Sequence, residues 1–138
     1  MPTAILRMVL AVAAGYAAAS IVVMVGTMAA VAAFRLEPSA APTTSYLAAN
    51  VAVSILGAAV AGYLCARLAP TGRITLTVGV LVIVFLALAI VSARTSLETG
   101  QPRSYVALVT LLGIIGLWAG VMVERAVHGR RRTRELTS

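Results

Sequence analysis

Residues 8–34 read MVLAVAAGYAAASIVVMVGTMAAVAAF, an apolar run without a charged side chain. As a helix this run is about 40 Å long, which exceeds the roughly 30 Å thickness of a bilayer's hydrocarbon core. A signal peptide is the alternative, because Arg7 precedes the run and Ala17, Ala18 and Ala19 resemble a cleavage site. The run continues unbroken through Ile21 and Val25, past the length of a signal peptide's apolar segment. We therefore interpret it as a first transmembrane helix, over about residues 5–34.

Three further apolar segments follow, and turn-forming residues separate them. Thr43, Thr44 and Ser45 are typical residues for the start of a helix, and Pro70 and Gly72 predict a tight turn between two antiparallel neighbours. We predict the later helices at about 46–69, 74–93 and 104–124, followed by a basic cytoplasmic tail at 125–138. The fold class is therefore all-α: a four-transmembrane-helix bundle that forms a single membrane domain over residues 1–138.

The composition favours a membrane environment over a soluble one. Of 138 residues, 61% are hydrophobic and 11% are charged, and four spanning helices leave no room for a separate soluble domain. The formal charge of +7 lies at the helix ends and in the tail, so it is better explained by topology than by a nucleic-acid partner. Every basic residue apart from the histidine is arginine, and alanine, valine, leucine and glycine dominate, which favours a bacterial chain in the cytoplasmic (inner) membrane.

The arginines also predict the orientation, because positive charge accumulates on the cytoplasmic side. With both termini cytoplasmic, Arg35, Arg94 and Arg103 lie outside, and Tyr105 falls at the outer interface, where aromatic rings are enriched. The tail is expected to lie along anionic lipid headgroups, which makes membrane lipid a predicted partner. The headgroup contacts are expected from Arg130, Arg131, Arg132 and Arg134, and the other cytoplasmic arginines are Arg7, Arg67, Arg73 and Arg125.

Small residues recur at helical spacing in three of the helices. Such residues let helix backbones approach closely where lipid removes the hydrophobic drive. We interpret most of them as packing within the chain, with homodimerisation and coincidence as alternatives, and we expect Gly15 and Gly62 to mark one close crossing of the first two helices. The third helix, rich in valine, isoleucine and leucine, is expected to face lipid. The predicted packing residues are Gly15, Gly62, Gly113, Gly116 and Gly120.

Asn50 and Ser54 lie one turn apart inside the second helix. A carboxamide in hydrocarbon needs hydrogen-bond partners, so we expect Asn50 to face the bundle interior and bond to another helix. Structural bonding is the first interpretation. The alternative is that Asn50 and Ser54, with Ser20 and Thr27 of the first helix, line a polar path for a small solute or ion.

The sequence suggests no catalytic, cofactor or metal site. Cys65 is the single cysteine and is interpreted as packing, and Glu124 and His128 are interpreted as an ordinary surface pair because a metal would lack further ligands. The preferred function is a non-catalytic membrane protein that forms a homo-oligomer or joins a larger membrane complex. The alternative is a small oligomeric transporter or channel, and a membrane enzyme ranks last.

Several segments resemble a diffuse group of uncharacterised small bacterial four-helix integral membrane proteins. The resemblance is carried by Gly15-Tyr16 with the residues before it from Ile5, by the run Ala61–Ala69, and by Pro102-Arg103-Ser104-Tyr105. In that group the second segment often begins with two glycines and the third has a tryptophan, where this chain has Ala61 and Ser104. The resemblance implies a four-helix bundle and no activity.

Overall fold

The computed structural model describes residues 2–35, 43–70, 72–96 and 103–135. Within these ranges the chain forms four α-helices and no strand: α1 (Pro2–Phe34), α2 (Thr44–Leu68), α3 (Ile74–Ser96) and α4 (Arg103–Glu135). Each helix is long and apolar enough to cross a bilayer. The predicted fold class is confirmed, and the chain is a multi-pass membrane protein.

Local residues define the start of α2 and the turn after it. The Thr43 side chain accepts a hydrogen bond of 3.3 Å from the Tyr46 backbone N–H, as an N-cap residue does. After α2, the Ala69 N–H donates to the Cys65 carbonyl, and Gly72 has a φ of 81°, a conformation that suits glycine. The predicted cap and tight turn are therefore present, and α2 and α3 are consecutive antiparallel helices.

Three helices extend at least three residues beyond their predicted bounds, and among them α3 ends at Ser96 instead of 93. The first begins at Pro2, which is tolerated in a first helical turn because its missing N–H has no partner there. The fourth continues to Glu135, so most of the predicted tail at 125–138 is helical. The polar composition after Val123 marks where the chain leaves an apolar environment, but alanine, arginine and glutamate all favour helix, so the helix itself continues.

The second helix is the centre of the bundle. Both α1 and α4 pack closely along α2, whereas no Cα of α1 lies within 8 Å of a Cα of α4 in the described ranges. Contacts such as Gly15 with Ala61 and Gly57 with Ala19 show that α1 runs antiparallel to α2. The fourth helix runs parallel to α2, and α3 packs more loosely against all three others.

The first half of α3 has one buried face, which the expectation of a lipid-facing helix did not include, while Leu76 and Ile83 on the same half are exposed. Thr77, Val78 and Leu81 are fully buried, and the last two belong to the main core. Aliphatic composition does not distinguish a lipid-facing helix from one that, like α3 and α4 here, supplies large side chains to a core whose α1 and α2 members are small. Those members are mostly alanine on α1 and α2: Ala11, Ala19, Ala58, Ala61 and Ala66, together with Cys65.

Candidate functional site

The crossing of α1 and α2 is built from small residues. A Cβ added to Gly15 would lie 3.0 Å from the Ala61 carbonyl oxygen and 3.3 Å from Cys65 Cβ. One added to Gly57 would lie 3.0 Å from Val23 Cγ2. The two backbones therefore lie close together, which increases dispersion contacts between the helices.

An adjacent face of α2 receives α4. A Cβ on Gly62 would overlap the backbone of Leu117, and one on Gly120 would overlap the backbone of Ala59. A Cβ on Gly116 would lie 2.6 Å from the Ile55 carbonyl oxygen. The predicted pairing of Gly15 with Gly62 is therefore wrong: Gly15 lies at the α1 crossing, beside Ala61, and Gly62 lies at the α4 crossing.

Gly113 is set apart from the other glycines of α4. A Cβ added there would meet no atom within 4 Å, and the residue lines a pocket instead of a helix contact. Its predicted packing role is therefore replaced by a place in the pocket wall. The spacing of Gly113 from Gly116 and Gly120 could not reveal this, because residues i, i+3 and i+7 share one helix face and the spacing does not show where along that face a neighbouring helix gives way to a pocket.

A hydrogen-bond network joins three helices near the start of α2. The Thr27 hydroxyl of α1 donates to Asn50 Oδ1 over 2.9 Å, and Asn50 Nδ2 donates to the Tyr105 hydroxyl of α4 over 2.9 Å. All three groups are part-buried. The expected interhelical bonds of Asn50 are therefore present, and Tyr105, interpreted from sequence as an interfacial ring, is a member of the network.

A pocket of about 360 Å³ lies beside this network. Its wall includes residues from all four helices, and α3 contributes its second half, from Val82 to Ser92. Val78 and Leu81 pack into the core and the Phe85 ring contacts the Tyr16 ring of α1, while Leu88, Ala89 and Ser92 further along α3 line the pocket. The polar residues of the wall are Asn50, Ser54, Ser92, Tyr105 and Thr110.

The polar groups of the pocket wall are hydroxyls and one carboxamide. The wall contains no aspartate, glutamate, histidine, lysine or arginine among the described residues. Ser54 and Thr110 each donate over 2.8 Å to a carbonyl one turn back in their own helix, at Asn50 and Val106. These hydroxyls are satisfied within one helix, so they add polarity to the wall without linking helices.

The four polar residues suggested for a path do not all meet in the pocket. Asn50 and Ser54 line it, while Thr27 supports it through Asn50 and is not in its wall. Ser20 is exposed and bonds to the Tyr16 carbonyl. Sequence reasoning missed Ser92, Tyr105 and Thr110, whose only signal is that polar residues near the end of α3 and the start of α4 fall at the end of the bundle that holds Asn50.

The other candidate residues lie near the opposite end of the bundle. Glu124 is buried, with 7% of its surface exposed, so the interpretation of Glu124 as part of a surface pair is wrong. Within the described residues no group of three His, Cys, Asp or Glu side chains could hold a metal ion. The side chains of His128 and of the predicted headgroup contacts Arg130, Arg131, Arg132 and Arg134 lie outside the described part of the chain.

Comparison with known proteins finds no matching family model, curated protein or solved structure. What the site can do therefore follows from its own geometry. A neutral pocket that is apolar over most of its wall and carries hydrogen-bonding groups toward one end can hold and orient a small molecule.

Proposed function

We propose that this multi-pass membrane protein is a non-catalytic subunit that associates with copies of itself or with a larger membrane complex. The observation that carries the proposal is the outer face of α1. Ala13 and Ala17 are exposed there, four residues apart, between the large exposed side chains of Leu10 and Ile21. Since Gly116 and Gly120 are already used against α2, this is a small-residue face left for a helix outside the bundle.

Replacing Ala17 with isoleucine is expected to weaken this association at least tenfold. A branched side chain at the centre of the face would hold a partner helix away from the α1 backbone and reduce close contact along the crossing. The measurement is the mass of the tagged chain, purified from its native membrane in mild detergent, with mass spectrometry of everything that remains bound.

The matched control is Ala87→Ile, which adds the same side chain at an exposed position of α3. The control should keep the native assembly, while Ala17→Ile releases monomers or loses the partner. A native chain that purifies alone as a monomer at membrane-like protein concentrations would contradict the proposal.

The proposed location is the bacterial cytoplasmic membrane, with both termini in the cytoplasm. Support comes from the excess of arginine at the end of the bundle that holds Arg7, Arg67 and Arg73, compared with the end that holds Arg35 and Arg94. Membership of the group of small bacterial four-helix membrane proteins is consistent with this location, and it too is a proposal.

A small oligomeric transporter or channel is the second candidate, and the observation that favours it is the polar part of the pocket wall at Asn50 and Ser54. Proteoliposomes holding the native chain should then pass glycerol faster than empty liposomes. Ser54→Leu, which replaces a small polar wall residue with a large apolar one, should reduce the added flux to the empty-liposome value. Equal flux with and without the protein would exclude glycerol-sized neutral solutes.

A further inference from the structure

The pocket has a long axis that follows the bundle. Its wall extends along α4 from Tyr105 to Leu117, about 18 Å at 1.5 Å per residue, and along α3 from Val82 to Ser92, about 15 Å. Asn50, Tyr105 and Ser92 lie toward one end of this axis. The other end is apolar, formed by residues such as Ala19, Ala58, Val82 and Leu117.

The polar end has hydrogen-bond donors to offer. The Tyr105 hydroxyl accepts from Asn50, so its own hydrogen remains to donate, and the hydrogen bonds of the described residues give that hydrogen no acceptor. Asn50 Nδ2 carries a second hydrogen beyond the one it donates to Tyr105. An oxygen acceptor placed at this end would therefore accept from hydrogens to which the described residues give no acceptor.

The size of the pocket and the absence of charged groups among the described wall residues restrict the kind of molecule that it can bind. A volume of about 360 Å³ lies at the small end of the 300–1,000 Å³ typical of small-molecule pockets, which suits one short chain or ring system. A charged group would lose its hydration without gaining an ion partner from the described wall. We propose that the pocket binds an uncharged amphiphile with an apolar body and a hydroxyl or carbonyl oxygen at the end that meets Tyr105.

The test uses a ten-carbon alcohol that carries a photoreactive diazirine on its chain, added to the full-length protein in lipid nanodiscs. Labelling should saturate, should map to the pocket-lining parts of α3 and α4, and should be competed by decanol more strongly than by decane. Labelling spread over the outer faces of all helices, or equal competition by decane, would overturn the proposal.

Gly113→Leu is the variant that fills the pocket. A Cβ at Gly113 meets no atom within 4 Å, so the new side chain occupies the cavity without displacing a helix. It should lower pocket labelling at least tenfold. Gly79→Leu is the matched control, because Gly79 also has open space around it and does not line the pocket; labelling of this variant should equal that of the native chain.

Two more variants separate the polar end from the apolar end. Tyr105→Phe removes the donor and should raise the half-saturating alcohol concentration about three- to tenfold, the effect of one hydrogen bond. Ala89→Leu fills the pocket from α3 and should also lower pocket labelling at least tenfold. It tests the same site if Gly113→Leu fails to fold. If Gly113→Leu and Ala89→Leu are both labelled as strongly as the native chain, the alcohol does not bind in this pocket. The inference does not depend on the proposed assembly role, which the Ala17 variant tests separately.

Discussion

Replacing Gly120 with alanine is expected to destabilise the bundle by at least about 3 kcal/mol, at the upper end of the cost of overpacking a core. The new methyl group would overlap the Ala59 carbonyl and lie 2.8 Å from the Tyr63 backbone nitrogen. Neither atom can rotate away, because both belong to the backbone of α2. The fourth helix must therefore move outward along its whole crossing and lose the contacts at Gly116 and Gly62. The loss is measurable as a lower midpoint in SDS-induced unfolding, followed by circular dichroism.

The matched controls are the same glycine-to-alanine substitution at Gly79 and at Gly113. Neither position has an atom within 4 Å of an added Cβ. Gly79→Ala and Gly113→Ala should therefore change stability by no more than about 1 kcal/mol, and alanine's higher helix propensity favours a small gain. If Gly120→Ala unfolds at the same SDS fraction as Gly79→Ala, α2 and α4 do not cross as closely as described.

Replacing Asn50 with leucine is expected to cost about 1–2 kcal/mol, a value at the upper end for interhelical hydrogen bonds in membranes. The substitution removes two bonds at once, one from Thr27 of α1 and one to Tyr105 of α4. Thr27 can turn its hydroxyl to a carbonyl of its own helix, which limits the loss. The measurement is again the SDS midpoint.

Ser54→Ala is the matched control, because among the described residues that hydroxyl bonds to the carbonyl of Asn50 in its own helix and to no other helix. Its effect should be a few tenths of a kcal/mol. A double-mutant cycle of Asn50→Leu with Tyr105→Phe isolates the bond between the two helices, and we expect a coupling of about 0.5–1.5 kcal/mol. Strictly additive effects would show that the two side chains do not interact.

The helices were predictable from sequence because their signals are local. Apolar length gives each span, Thr43 supplies a cap, and Gly72 supplies the turn before α3. The end of α4 was misplaced because hydropathy marks the membrane boundary, whereas a helix ends where backbone conformation changes. The charged residues after Val123 mark the membrane boundary, but they do not change the helical backbone conformation.

The pairing of small residues was not predictable in the same way. Gly57 and Ala61 face α1, whereas Gly62, the residue after Ala61, meets α4. The rotation of about 100° between consecutive residues of α2 therefore decides which helix a small residue contacts. The sequence shows that a residue is small but not which of two neighbours it meets. Asn50 was correctly expected to bond between helices, but its partner Tyr105 is 55 positions away and only the packed bundle brings the two together.

The central position of α2 has a consequence for biosynthesis. Since α4 follows α2 and α3 in the chain, the face of α2 that carries Ala58 and Gly62 lacks its α4 partner until the residues from 103 onward have left the ribosome. Lipid tails fill such a backbone groove poorly compared with a helix. A chain released before residue 103 therefore leaves the groove open to any small-residue helix nearby, so the insertion of α4 is the step that protects the nascent protein from pairing with the wrong neighbour.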